Sequence, residues 1–544
     1  MARLLEIKNM FFTKHSLLIL LPIICFIFVL TAYWPSFSVP FYFDDTVSIA
    51  KNQLLQTGTI QELLSAYGMR FFGYLTFWIN IQSTGLNLYA FHVTNFIIHL
   101  FNGIVLFYLC LLLLKEYQTN TTYKYKLLVS MSIAMLWLLH PLNTQAVTYV
   151  VQRLASLTTL FYLVSLYCYF KLRLEYFSKK WCFGLILTIL FGLMTKQNFV
   201  VFFVCIYCFE LIYSNVRIRK SIVILTAVAV LSFIILAHIL PASIIEALNQ
   251  STKEVQEYSR LDYFLTQLFV VLEYIKKFFI PVKQQLFMTN LLSTEVSVLH
   301  VLALLAHVFL IFLAVALRNI LPLFTIGVVI FYTGHSVESF IIPIRDIAFE
   351  HRTYLPNIGL SISCVSVFAH LLNRYPRFNV FVLISLCVTL TAMTYNRNQL
   401  WQEPFKFYEN EYRLSPQNPR AMEQFAVELM SIDKRDAAEV LLRDAININL
   451  SSGKLSASSL NNLIVILTKR RDLNGVIETA NIALKYVTNR HDRSMIMAST
   501  SYAYLSMGYC EFAYELSQSA LELDPTNIDA KRYIDKCSSS ISHH

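Results

Sequence analysis

KLRLEYFSKKWCFGLILTILFGLMTKQNFVVFFVCIYCFELIYSNVRIRK, residues 171–220, alternates basic and apolar stretches in a pattern that decides the fold. Two apolar runs, 181–195 and 198–214, lie between the basic segments KLRLEYFSKK (171–180) and SNVRIRK (214–220), and only a short TKQN break carrying Lys196 and Gln197 separates them. Inside a bilayer, backbone polar groups must be satisfied within their own segment, so runs of this kind are membrane-crossing helices. The two basic segments then share one side, and Lys196 marks the other.

The same alternation extends in both directions. Candidate spans are 16–33, 91–114, 127–141, 149–172, 181–195, 198–214, 220–241, 297–317, 320–336, 355–373 and 377–396, eleven crossings in all. The basic loops 115–126, 171–180, 214–220, Arg318 and 373–377 all fall on one side, which the positive-inside rule assigns to the cytoplasm together with the N-terminus. The apolar run 17–33 ends in Tyr33-Trp34 rather than at a small-residue cleavage site and reads as a retained anchor. Segment 261–286 is apolar but carries Lys276, Lys277 and Lys283, so it is expected as an amphipathic or re-entrant helix on the outer side. An odd number of crossings puts the C-terminal tail opposite the N-terminus.

Composition agrees with that reading. Of 544 residues, 56% are apolar and 14% charged, with 42 Phe and 31 Tyr, which excludes an ordinary soluble protein. The formal charge of +10 is uneven: residues 397–544 hold 17 Lys and Arg against 18 Asp and Glu, whereas residues 1–396 hold 27 against 16. The basic excess belongs to the membrane half, where it sets orientation and gives no case for nucleic acid. Of ten cysteines, Cys205 and Cys208 form a CxxC without the second pair that a metal site needs, and only Cys510 and Cys537 lie in the polar tail, too few for a disulfide scaffold.

From about residue 398 the texture becomes soluble amphipathic helix. Tyr504, Ala513, Ala520 and Pro525 fall at tetratricopeptide offsets, and Ala445 and Ala483 repeat the Ala520 position at a period of 37 to 38. Such a stack either docks a peptide or braces the membrane domain. The expected fold is therefore all-α, a polytopic membrane domain over 1–397 followed by a short tetratricopeptide solenoid over 398–544.

Charge is costly near lipid, so polar residues at the outer span ends carry the chemistry. Asp44-Asp45, in VPFYFDDTVSIAKN, suit a general base with a hydrogen-bonding partner, and the doublet is also a candidate seat for a divalent cation. The alternative is a hydrated interfacial loop, which the aromatic frame Phe41-Tyr42-Phe43 disfavours. HPLNTQAVTYVVQR brings His140, Asn143, Gln145, Gln152 and Arg153 around a second outer turn, and TKQN brings Lys196 and Gln197. ESFIIPIRDIAFEHRTYLP adds Glu338, Arg345, Asp346, Glu350, His351 and Arg352, and Arg70 faces the same side. Outer cations beside carboxylates suggest recognition of a lipid phosphate, because the positive-inside bias should otherwise have removed them. FHVTNFIIHLFNG, with His92 and His99, reads as a polar helix-packing face.

Taken in order, FDDTVSIAKN, MRFFGYLTFWIN, GLNLYAFHVTNFIIHLFN, HPLNTQAVTYVVQR, TKQN, FEHRTYLPNIGL and the tail after NRNQLWQE resemble the TMTC-type membrane glycosyltransferases and their bacterial relatives. These are similar to protein O-mannosyltransferases and share the GT-C fold. The resemblance implies inverting transfer of a sugar from a polyprenyl-phosphate donor to a Ser or Thr hydroxyl of a secreted or surface protein, on the non-cytoplasmic side. Carried over by position, Asp44 is the general base and Asp45 its neighbour; Arg153, Lys196, His351 and Arg352 hold donor phosphate; Arg70, His140, Gln145, Gln152, Gln197, Glu338 and Glu350 support them. Many relatives have an acid where this chain has Gln145 and Gln197, which argues for a different sugar or donor. The compact chain and short tail fit a bacterial inner membrane better than the endoplasmic reticulum. Within the same fold, transfer could instead go to a lipid or polysaccharide or move a whole oligosaccharide. A transporter or non-enzymatic scaffold is the reading of another class, but the inverted duplication of a transporter is not apparent.

Overall fold

A computed structural model of the chain describes residues 20–119, 121–175, 178–214, 216–224, 226, 228, 259–288, 295–341, 343–344, 346–372, 375–451 and 456–541. All regular structure among them is helical. They form two compact units, one holding the described residues up to 286 together with 295–402, the other holding 287, 288 and 403–541.

In the first unit six helices are long and apolar enough to cross a membrane: Leu20–Ser38, Leu88–Tyr117, Val150–Leu174, Val298–Ala316, Pro322–Phe340 and Arg377–Trp401. Tyr123–Leu138 and Pro141–Thr148 make a seventh only as a pair bent by 51°. Among the described residues, fewer helices are this long than the eleven crossings expected from hydropathy. The expected spans 181–195, 198–214 and 355–373 correspond to the shorter helices Lys179–Leu193, Val201–Tyr213 and Pro356–Leu371, of 15, 13 and 16 residues. Most of the expected span 220–241 lies outside the described residues.

The bend after Leu138 follows from HPLN. Pro141 has no N–H to give, and the His140 side chain takes the Leu142 N–H instead, at 3.3 Å, ending one helix and starting a 3-10 turn. Buried polar groups lock the surrounding bundle. His99 joins Tyr354 Oη at 2.7 Å and the Leu138 carbonyl at 3.0 Å, Trp137 Nε1 donates to the Tyr354 carbonyl, and Asn102 donates to the Ser156 carbonyl. The FHVTNFIIHLFNG face thus packs helices and holds no ligand set of its own.

Gly327 and Gly359 let two of these helices touch backbone to backbone. A Cβ on Gly359 would stand 2.3 Å from the Gly327 carbonyl oxygen and 2.5 Å from the Phe331 nitrogen, atoms that cannot swing aside. Gly359→Ala should therefore lower stability by about 1–3 kcal/mol, read as a fall in the detergent-solubilised melting midpoint; an unchanged midpoint would mean that the helices can separate without loss.

In the second unit Pro419–Ser431 with Arg435–Ser451, Ala457–Lys469 with Leu473–Tyr486, and Arg490–Ser506 with Cys510–Leu523 are successive helix pairs, closed by Ile528–Ile541. Ala445, Ala483 and Ala520 are all fully buried. They occupy equivalent places in the second helix of each pair, where anything larger would push the helices apart.

Candidate active site

The first loop is held by its own acid. Asp45 is buried, and its carboxylate accepts the Val151 N–H at 2.7 Å and the Tyr42 N–H at 3.2 Å. This ties the loop to the 3-10 turn Val150–Gln152. Phe43 adopts a positive φ of 38°, the tight corner that presents Asp44. Asp44 itself is exposed, with its backbone N–H donated to Tyr149 Oη at 2.9 Å. The adjacent acids are thus divided in role: one anchors the loop, the other faces outward.

Burial pushes the Asp45 carboxyl up to about 8, the Asp44 charge adding to it and the Val151, Tyr42 and Val150 N–H groups opposing. A carboxyl that binds its proton more tightly when folded contributes fully below its unfolded value, 3.8, and loses that contribution as pH rises through about 8. Within that window stability should fall by about 1.4 kcal/mol per pH unit for one proton. Asp45→Asn keeps an acceptor oxygen without the charge and should flatten the slope of melting midpoint against pH; an equal slope in the variant would show that another group carries it.

A second cluster joins TKQN to the segment before Pro356. Lys196 Nζ lies 2.9 Å from Glu338 Oε1, and Arg352 Nε lies 3.9 Å from Glu338 Oε2, so one carboxylate is shared by two cations. Arg352 also donates to the carbonyls of Ile347 and Asp346. The His351 N–H donates to Gln145 Oε1 at 2.6 Å. Burial, then the charges of Lys196 and Arg352, hold the His351 imidazole well below its usual range against the pull of Glu338. His351 is therefore neutral and can act only through hydrogen bonds. Gln145 keeps this interior free of a further negative charge where Glu338 and Glu350 are already buried.

A third group centres on Glu350, expected as a supporting residue, with partners that were not expected. Glu350 is buried, with Lys277 Nζ and the Gln285 N–H at 3.0 and 2.9 Å from Oε1 and Arg397 Nη2 at 4.0 Å from Oε2. Lys277, expected among the interfacial lysines of an outer amphipathic helix, is instead inside, with 6% of its side chain exposed. The periodicity contained the signal: in helix Arg260–Phe279, Tyr263, Gln267, Val270, Tyr274 and Lys277 form one buried stripe, while Lys276 points out to Glu273. Arg397 lies near the end of helix Pro376–Trp401, a place where cations commonly snorkel toward water.

Contacts link the acid loop to the cations without a break. Tyr149, which holds Asp44, lies against Trp401 with ring centroids 6.0 Å apart; Tyr42 packs on the same indole at 5.2 Å. Arg397 sits 5.8 Å over Trp401 and reaches Glu350, the neighbour of His351 and Arg352. Arg70, exposed, meets exposed Gln197 at 3.4 Å, next to Lys196. Gln152 is half-buried at the head of helix Arg153–Leu174.

Two expected participants have other work. Arg153 is fully buried, stacked 4.5 Å over Phe77, and donates from Nε to Asn95 Oδ1 at 2.6 Å, from Nη1 to Asn80 Oδ1 at 2.6 Å and from Nη2 to the Phe91 carbonyl at 3.1 Å. The expectation that it holds donor phosphate gives way to a structural cross-tie, because its donors already serve two neighbouring helices, Phe71–Thr84 and Leu88–Tyr117. His140, with one ring nitrogen on Leu142 N–H and the other donating to the Phe278 carbonyl at 2.9 Å, is likewise a packing residue. Arg345 lies outside the described residues. No group of three or more His, Cys, Asp or Glu among the described residues is arranged to hold a metal ion, and both oxygens of Asp45 already accept backbone N–H groups.

No protein-family model matches the chain. Over 157 residues, 26% of its length, it is 28% identical to protein O-mannosyl-transferase TMTC3 of Mus musculus. Over 95 residues, 18% of its length, it is 35% identical to protein O-mannosyl-transferase TMTC1 of Homo sapiens. These matches span 16% and 10% of the two relatives. The chain, an all-helical multi-pass membrane domain with helical repeats, is thus related over part of its length to TMTC-type proteins.

Proposed function

We propose that the chain is a membrane glycosyltransferase that moves a sugar from a polyprenyl-phosphate donor to a Ser or Thr hydroxyl of a secreted or surface protein. The observation that supports this reading is the path of contacts from the backbone of exposed Asp44 through Tyr149, Trp401, Arg397 and Glu350 to Arg352 in the Lys196–Glu338–Arg352 cluster. Asp44 takes the hydroxyl proton as the oxygen attacks the anomeric carbon. The bond from that carbon to the phosphate oxygen breaks, its electron pair stays on the lipid phosphate, and Lys196 and Arg352 stabilise the developing charge. A single displacement inverts the anomeric centre.

Charge supports a monophosphate-linked donor. Two cations, one carboxylate and a neutral His351 leave a net of about one positive charge, matching the single negative charge of a phosphodiester; a diphosphate-linked donor would bring two. The helix pairs of the tail would present the acceptor. Transfer belongs on the non-cytoplasmic side, with the bacterial inner membrane preferred over the endoplasmic reticulum.

Mass spectrometry of exported proteins from cells with and without the gene tests the proposal. Loss of Ser- or Thr-linked sugar from a defined set of peptides is expected; identical glycopeptides in both samples would rule out a protein acceptor.

A further inference from the structure

Helix Ile528–Ile541 packs against Arg490–Ser506 and Cys510–Leu523. Its apolar seat is the small cluster of Ala498, Ala520 and Ala530, with Tyr533 against Tyr502 at 5.6 Å and Asn527 Nδ2 donating to Ser494 Oγ at 2.9 Å. Beneath it lie the only two cysteines of the tail. Cys510, partly exposed, opens helix Cys510–Leu523 just after the positive-φ corner at Gly508; Cys537 is fully buried on the last helix. Their Sγ atoms are 3.0 Å apart.

We infer that Cys510 and Cys537 form a disulfide that clamps helix Ile528–Ile541 onto helix Cys510–Leu523. The sulfurs need to close by only about 1 Å to reach bonding distance, a displacement that side-chain rotation supplies. The oxidant is a thiol–disulfide oxidoreductase of the exoplasmic compartment, which brings its own disulfide. The Cys510 thiolate attacks that disulfide, forming a mixed disulfide and releasing one thiol of the oxidant. The Cys537 thiolate then attacks the Cys510 sulfur; the protein S–S bond forms, the second oxidant thiol leaves, and two protons and two electrons have passed to the oxidant. This modification does not depend on the glycosyltransferase reading; it requires only that the tail face an oxidising side.

Membranes carrying the full chain should be quenched in acid, denatured, alkylated without reductant, digested and analysed by mass spectrometry. A linked peptide pair joining Cys510 to Cys537 is expected, replaced by two alkylated peptides when reductant precedes alkylation. Reduction should also lower the melting midpoint of the tail by on the order of 10 °C, and Cys510→Ser, at the less buried position, should melt at that lower temperature with or without reductant. Both cysteines alkylated in the unreduced sample, or either one joined to a different cysteine, would overturn the inference.

Discussion

Asp44→Asn should reduce transfer by about 10²- to 10⁴-fold, the usual contribution of a positioned general base, while the protein stays folded and inserted. Two of the loop's ties survive the substitution, the Asp45 carboxylate on the Val151 and Tyr42 N–H groups and Tyr149 Oη on the backbone of residue 44, and asparagine can still hydrogen-bond Tyr149 as the Asp44 side chain does. Asparagine retains the size of the side chain and its carbonyl oxygen but cannot accept a proton at neutral pH. Transfer rates measured alongside melting midpoints separate the two contributions. A variant with a normal midpoint and a normal rate would remove Asp44 from the chemistry; a variant that unfolds would mean that the side chain, and not only the backbone, holds the loop.

Glu350→Leu should be the most destabilising change in the membrane domain, by about 3–5 kcal/mol, because it leaves buried Lys277 without its carboxylate. Gln285 N–H and Arg397 lose a partner at the same time. The pair as a whole need not stabilise the fold, since removing both charges removes both desolvation penalties. Glu350→Leu combined with Lys277→Met should therefore recover most of the loss. A melting midpoint for Glu350→Leu equal to wild type would show that the interior is wet enough to solvate a lone ammonium. Because Glu350 adjoins His351 and Arg352, the double variant would also reveal in its donor affinity whether this network positions the cation cluster.

Several residues that the structure brings into contact were conspicuous in the sequence, because charge at the outer end of an apolar span is costly. Asp44-Asp45, Lys196, Glu338, His351 and Arg352 stood out for that reason, and their segments do meet. Direction was not legible. Arg153 at the head of a span has the same sequence signature whether it faces a lipid phosphate or, as here, the Asn95 and Asn80 side chains. Lys277 was hidden by its neighbour Lys276: a double lysine reads as a solvated face, and only the position of each on the helical stripe separates the buried one from the exposed one. The all-helical class followed from the apolar runs, whereas helix lengths did not: among the described residues several expected spans are helices of 13 to 16 residues. The small residues of the tail were easier. Ala445, Ala483 and Ala520 recur at a fixed interval, and all three are buried.

The most direct test is to incubate the purified full-length protein with labelled polyprenyl-phosphate sugars and a Ser/Thr peptide, and to follow label on the peptide. Sugar on the peptide matched one for one by released polyprenyl phosphate, and lost in Asp44→Asn, is the expected result. An intact peptide alongside unconsumed donor, from protein shown to be folded, would contradict the account.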